Sequence, residues 1–161
     1  MQTNFTIEQL KEPKIQEMNS ILRKCVHCGF CTATCPTYLL TGDELDSPRG
    51  RIYLIKEFLE GNVTEIKTAT KHVDRCLSCL SCMTTCPAGV DYMHLVDYTR
   101  AKLEEDNTRS LATKIIRYFI SLTLPYPKRF KTAIILAKFA RPFAFLFPSI
   151  LKNMIGLIPK E

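Results

Sequence analysis

Apolar residues recur at helical spacing through the first two thirds of the chain, and residues 37–75 show none of the two-residue alternation of a half-buried strand. Ile15, Met18, Ile21 and Leu22 share one stripe behind Pro13, a residue suited to the first helical position. The spacing therefore predicts an entry helix over 13–24 that runs directly into Cys25. Ser47 and Pro48 read as N-cap and first helical residue, and Ile52, Ile55 and Leu59 form an i, i+3, i+7 face that stops at Gly61-Asn62. A further helix is expected over 64–74, delivering Cys76. Another is expected over 92–105, capped by Asp91, with Leu95, Val96, Thr99 and Leu103 inward. The first domain is expected to close near Asp106-Asn107. Beyond it come three apolar-basic helices broken by prolines, about 110–123, 129–140 and 149–157. Ile115, Phe119 and Leu122 share a face in the first of these, and Ile134, Ile135 and Phe139 in the second. The pattern is that of an all-α chain, with one domain over 1–107 and an amphipathic basic helical extension over 108–161.

All eight cysteines fall in two copies of one run, CVHCGFCTATCP at 25–36 and CLSCLSCMTTCP at 76–87. Spacings of two, two and three residues followed by proline are those of a four-iron, four-sulfur cluster run. Three cysteines this close wrap one loop around one cube, each thiolate on a separate iron, with backbone N–H groups toward the sulfides. The fourth cannot turn back, and in two-cluster ferredoxins it ligates the other cluster. This assigns Cys25, Cys28, Cys31 and Cys86 to one 4Fe-4S cluster and Cys76, Cys79, Cys82 and Cys35 to a second. Pro36 and Pro87, with fixed φ and no N–H, are expected to end the short turn that carries Cys35 or Cys86. Two clusters set among helices predict an α-helical ferredoxin rather than the compact β-rich kind. The alternatives are two four-cysteine zinc sites and a disulfide framework. Zinc is served by paired CxxC knuckles and has no use for a third cysteine followed by CxxxCP. The absence of a secretory signal argues against disulfides.

Composition adds little until the charge is divided. At 161 residues and 46% hydrophobic, the chain is long enough for one modest core and a second small unit. The net +6 conceals an asymmetry: residues 1–110 hold 13 Lys+Arg against 15 Asp+Glu, residues 111–161 hold 9 against 1. A basic patch suits nucleic acid, anionic lipid or an acidic protein, and the interspersed Ile, Leu and Phe favour the last two, so no nucleic-acid partner is expected. Lys114, Arg117, Lys138 and Arg141 interrupt every long apolar window, so no spanning segment is predicted. The tail is expected to pack on protein, with peripheral, interfacial membrane contact as the alternative. The polar N-terminus lacks an apolar signal region, and iron-bound thiolates suit a reducing compartment. The expected location is cytoplasmic, with the inner face of the cytoplasmic membrane as its peripheral variant.

Other residues invite weaker readings. With eight cysteines present there is no vacancy for His27 as a ligand, which leaves it tuning potential through charge or simply solvated. His72 and His94 stand alone on helices, where a satisfied or exposed histidine is commoner than a site. Arg49 and Arg51, in SPRGR, either offset cluster charge, grip a partner's carboxylates, or begin a solvated helix. No nucleophile–base pair, Walker loop or GxGxxG is present, so no catalytic residue is expected and the chain alone should turn over no substrate.

The stretch LRKCVHCGFCTATCPTYLLTGDELDSPRGRIYLIKEFLEGN, with DRCLSCLSCMTTCPAGV after it, closely resembles the iron–sulfur subunit of bacterial glycolate oxidase (glycolate dehydrogenase). The same domain is similar to parts of the lactate-utilisation, anaerobic glycerol-3-phosphate dehydrogenase and heterodisulfide reductase subunits. The resemblance is strong over 10–105 and looser in the tail. It implies an electron-transfer subunit that passes electrons from FAD-containing 2-hydroxy-acid oxidase subunits, where the FAD resides, through its clusters toward a respiratory acceptor. The eight cysteines match the family's cluster ligands one for one. Members continue into two cysteine-rich CCG repeats, which this sequence lacks. The expectation is a fragment, a shortened member or a split subunit with a separate CCG-domain chain. A stand-alone two-cluster ferredoxin serving other oxidoreductases is the second reading.

Overall fold

A computed structural model describes residues 1–62, 66–105 and 110–140. Among these residues there are eight α-helices, three 3-10 turns and no strand. The chain divides into two units, Met1–Thr108 and Arg109–Glu161.

In the first unit four helices make the core: α1 (Pro13–Lys24), α3 (Pro48–Leu59), α4 (Ile66–Asp74) and α6 (Tyr92–Glu105). Two short helices, α2 (Pro36–Thr41) and α5 (Ser81–Thr85), adjoin the cysteine runs. Pro13 begins α1, as its fixed φ favours, and the helix buries Ile15, Met18, Ile21 and Leu22. The Ser47 hydroxyl accepts from the Gly50 amide at 3.0 Å, capping α3 behind Pro48. Ile52, Ile55 and Leu59 then turn inward. From α6 come Leu95, Val96 and Leu103, all fully buried, with the buried Thr99 hydroxyl donating to the Leu95 carbonyl at 2.7 Å. The α3 helix touches α1, α4 and α6, so these faces form one cluster. Each buried Leu or Ile contributes roughly 1.5–3 kcal/mol against exposure. Asp91 accepts from the His94 amide at 3.3 Å at the start of α6, as expected of a cap.

The structure differs from expectation at Pro36, which opens α2 rather than only ending a turn. The start expected for the helix over 64–74 and the boundary at 106–107 lie outside the described residues.

In the second unit α7 (Leu111–Thr123) and α8 (Pro127–Ala140) form a helical hairpin. Ser110 caps α7 by accepting from the Thr113 amide at 3.3 Å. The second helix starts at Pro127, two residues before the expected position, because proline suits the first turn of a helix as well as the break before one. Ile115, Phe119 and Leu122 on α7 and Ile135 and Phe139 on α8 are exposed. The helix expected over 149–157 lies outside the described residues. Among the described residues no helix is long and apolar enough to cross a membrane.

Candidate metal centre

Each cysteine run leaves the end of a core helix in the same way. The amide of Cys25 donates to the Leu22 carbonyl at 3.1 Å, and that of Cys76 to the Val73 carbonyl at 3.2 Å. The loops then repeat each other residue for residue. The second residue after the first cysteine is left-handed, His27 at φ +57° and Ser78 at φ +51°. So is the first residue after the second cysteine, Gly29 at φ +86° and Leu80 at φ +58°. Left-handed residues among right-handed ones curl a backbone so that N–H groups converge on a concavity, the form that receives anionic sulfur. Three of these four positions carry a side chain, at a cost on the order of 1–2 kcal/mol each, and so are fixed by their surroundings.

The fourth cysteines also match. Cys35 (φ −87°, ψ 111°) and Cys86 (φ −77°, ψ 113°) are extended, each preceding proline. Proline excludes the helical region for the residue before it, which explains why the runs end in CP. The runs lie side by side, with the 3-10 turn Phe30–Thr32 against α5 and Thr85 Oγ1 donating to Thr34 Oγ1 at 3.4 Å.

Two cavities open along this seam. The first, about 450 Å³ including its open mouth, is bordered by Cys25, Cys28, Cys31, Cys82 and Cys86. The second, about 310 Å³ on the same measure, is bordered by Cys35, Cys76, Cys79 and Cys82. Cys82 thus borders both, Cys86 only the first and Cys35 only the second. Burial, with the neighbouring thiols of Cys31, Cys76 and Cys35, pushes the Cys82 thiol up to about 12. Burial also raises Cys31, against a lowering contribution from the Arg49 backbone amide. Crowded thiols that resist ionisation by themselves are what a cationic iron centre deprotonates, and soft sulfur is the donor such centres take. The residues present therefore fit an iron–sulfur cluster. Cys79, exposed at the rim, is lowered by hydrogen bonding to the Ser81 backbone amide and hydroxyl.

The surroundings of the two cavities differ. Behind Cys35 lies a buried network that sequence reading missed. Arg51 is 1% exposed; its Nη1 lies 3.8 Å from Cys35 Sγ, Nη1 and Nη2 each donate to Thr37 Oγ1 at 3.1 Å, and Nε donates to the His72 carbonyl at 2.7 Å. Asp46, fully buried, meets Arg51 Nη2 at 3.4 Å, His72 Nδ1 at 2.8 Å and Arg75 Nη1 at 2.8 Å. Burial works against the Asp46 carboxylate, yet the hydrogen bonds from His72 and Arg75 hold its carboxyl below the usual range. So Arg51 is buried beside Cys35 rather than at a solvated helix start, and His72 is a satisfied histidine within this network. Tyr92, nearly buried, donates to Cys76 Sγ at 3.5 Å, and burial together with that thiol raises its phenol well above the usual value. Nothing in the local pattern marks Asp46 or Tyr92, because their partners lie 5–29 and 16 residues away.

At the first cavity Arg49 lies over Gly29 and pairs with Glu44 at 2.5 Å, both open to solvent. His27 meets Tyr53 edge-on with ring centres 6.3 Å apart, and burial with the Arg49 charge lowers its imidazole. His94, exposed, pairs with Asp91 at 2.7 Å.

This helical scaffold with two cysteine-bordered cavities is an iron–sulfur domain, and residues 21–90 match the family model described as 4Fe-4S dicluster domain. That match covers less than half of the chain, whose homologues include glycolate oxidase iron–sulfur subunits. The chain is 51% identical over 143 residues to the glycolate oxidase iron-sulfur subunit of Escherichia coli (strain K12), covering 89% of this chain and 35% of that protein. It is 32% identical to the probable glycolate oxidase iron-sulfur subunit of Bacillus subtilis (strain 168), covering 83% of this chain and 31% of that protein. A more distant likeness, 27% over 118 residues, is to an iron-sulfur protein of the CoB--CoM heterodisulfide reductase of Methanopyrus kandleri, covering 73% of this chain and 58% of that protein. The chain thus spans about a third of the length of the two glycolate oxidase relatives. No solved structure matches it.

Proposed function

We propose that this chain is the electron-relay part of the iron–sulfur subunit of a glycolate oxidase type 2-hydroxy-acid dehydrogenase. It holds two 4Fe-4S clusters, one on Cys25, Cys28, Cys31 and Cys86 and the other on Cys76, Cys79, Cys82 and Cys35. The observation that carries this reading is the sharing of the cavities: Cys86 borders the cavity of the first run and Cys35 that of the second. When bound, such clusters supply one-electron redox chemistry between an FAD-containing partner subunit and a respiratory acceptor.

The chain's own residues bind and tune. The core helices fix both runs against each other, the left-handed turns present backbone N–H groups, and Tyr92, Ser81 and Arg51 offer donors to sulfur. Residues 1–107 serve as the cluster domain; 108–161, basic and apolar, lead toward a CCG-containing region and make the peripheral contact with protein or the inner membrane face.

Cys35→Ser tests the crossing. Iron counting and EPR should show loss at the cluster of residues 76–82, and damage confined to the cluster of 25–31 would reject the assignment. Purification under anaerobic conditions should bring down an FAD protein that oxidises 2-hydroxy acids; a chain that travels with none is a stand-alone carrier.

A further inference from the structure

The two cavities differ in what faces their sulfurs. Arg51 is buried and touches Cys35 Sγ directly. Its carboxylate neighbour does not cancel it, because Asp46 takes both the longer contact to Arg51 at 3.4 Å and a shorter one to Arg75 at 2.8 Å. With Asp46 shared between the buried Arg51 and the half-exposed Arg75, the Arg51 charge beside Cys35 is not fully matched, and water screens it little because Arg51 and Asp46 are both buried. One hydroxyl adds to it: the Tyr92 hydroxyl donates to Cys76 Sγ at 3.5 Å, while Thr37 Oγ1, 3.2 Å from Cys35 Sγ, gives its own proton to the Asp46 carbonyl at 3.0 Å.

Cations approach the first cavity too, but differently. Arg49 borders this cavity but is partly exposed and matched by the exposed Glu44, and the Met1 ammonium donates to the Cys25 carbonyl rather than to sulfur. Among the described residues no side-chain hydrogen bond reaches the sulfur of Cys25, Cys28, Cys31 or Cys86; Cys31 is met by the Arg49 backbone amide.

Taking the ligand assignment proposed above, we infer that Arg51 sets a difference in reduction potential between the two cluster sites, holding the site of Cys35, Cys76, Cys79 and Cys82 at the higher potential. One-electron reduction adds one negative charge to a site. A buried cation and hydrogen bonds on its sulfurs stabilise that state and raise the potential. An electron lost by the site of Cys25, Cys28, Cys31 and Cys86 is gained by the other, which makes the first run the entry side and the second the exit side. Arg51 is a tuning residue that acts through Cys35.

The test is an EPR-monitored redox titration of the full chain loaded anaerobically with iron and sulfide. A Cys28→Ser background, which perturbs only the first site, assigns the two signals. Arg51→Gln should lower the midpoint of the Cys35 site by at least a tenfold change in its reduced-to-oxidised ratio, about 59 mV for one electron, and leave the other site in place. Arg51→Lys keeps the charge but not the reach to sulfur, so it should lower the same midpoint by a smaller amount; it decides the matter if the glutamine variant does not fold. Full loading with both midpoints unmoved, or a shift at the first site, overturns the inference alone. A wild-type chain that takes up no iron and sulfide overturns the function proposed above and this inference with it.

Discussion

The backbone at Gly50 lies so close to the Glu44 carbonyl oxygen that a β-carbon there would stand nearer than the 3.0 Å real β-carbons keep. That approach lets the 3-10 turn Glu44–Asp46 fold against the first turn of α3, bringing Asp46 to Arg51. Because the obstruction is backbone, it cannot swing away. Gly50→Ala should therefore destabilise the protein at the upper end of the overpacking range, about 3 kcal/mol, measured by urea unfolding.

Removing the carboxylate of Asp46 leaves Arg51 buried without its charge partner. Asp46→Ala should cost about 3–5 kcal/mol in the same assay. The pH dependence has a definite sign. The folded carboxyl titrates below its unfolded value, so its stabilisation is present above the ordinary aspartate range, about pH 3.9, and is lost as pH falls through the lowered folded value. Asp46→Asn should flatten that part of the acid-unfolding curve, and a variant with the wild-type acid slope would contradict the role given to this carboxylate.

The left-handed positions give a paired test. His27→Gly relieves a side chain at φ +57° and should stabilise the loop by about 1 kcal/mol, less what the Tyr53 edge contact contributed. Gly29→Ala, at φ +86° and under the Arg49 guanidinium, should destabilise by about 1–2 kcal/mol. Thermal melts of both variants read opposite shifts if the loop conformation is as described.

Packing energy should follow burial. Leu95→Ala, at a fully buried position on α6, is expected to cost about 2–5 kcal/mol, whereas Leu40→Ala, 85% exposed, should stay within about 0.5 kcal/mol. Equal effects would contradict the assignment of the core.

Stripping iron with a chelator should spare the helices and loosen the loops. The core cluster is chiefly Ile, Leu, Met and Val from α1, α3, α4 and α6, with the buried thiols of Cys25 and Cys82 at its edge. Far-UV circular dichroism should keep most of its helical signal, while amide exchange rises across 25–36 and 76–87. Reloading should proceed better at higher pH, because thiols such as Cys82, pushed up to about 12, must release protons to bind iron.

Most of the helical framework was legible because periodicity is local. The stripes of α1, α3 and α6 and the caps Ser47 and Asp91 need only neighbours three to seven residues away. The helix α2 escaped notice because six residues carry too little pattern, and a proline that can stop one turn can equally start the next. The grouping of cysteines into two runs was equally plain from spacing. His72 was not: a solitary histidine on a helix looks the same whether it faces water or the buried Asp46.

The sequence by itself determined an all-helical iron–sulfur protein and its eight candidate ligands, since helical period and cysteine spacing are properties of adjacent residues. Only the tertiary structure decided which basic residue lies against a cysteine sulfur. Arg49 and Arg51 stand two apart in SPRGR, yet one is partly exposed and paired with Glu44 while the other is sealed beside Cys35. The helix turns them to different sides, and the environment each meets there is built by residues brought from elsewhere in the chain.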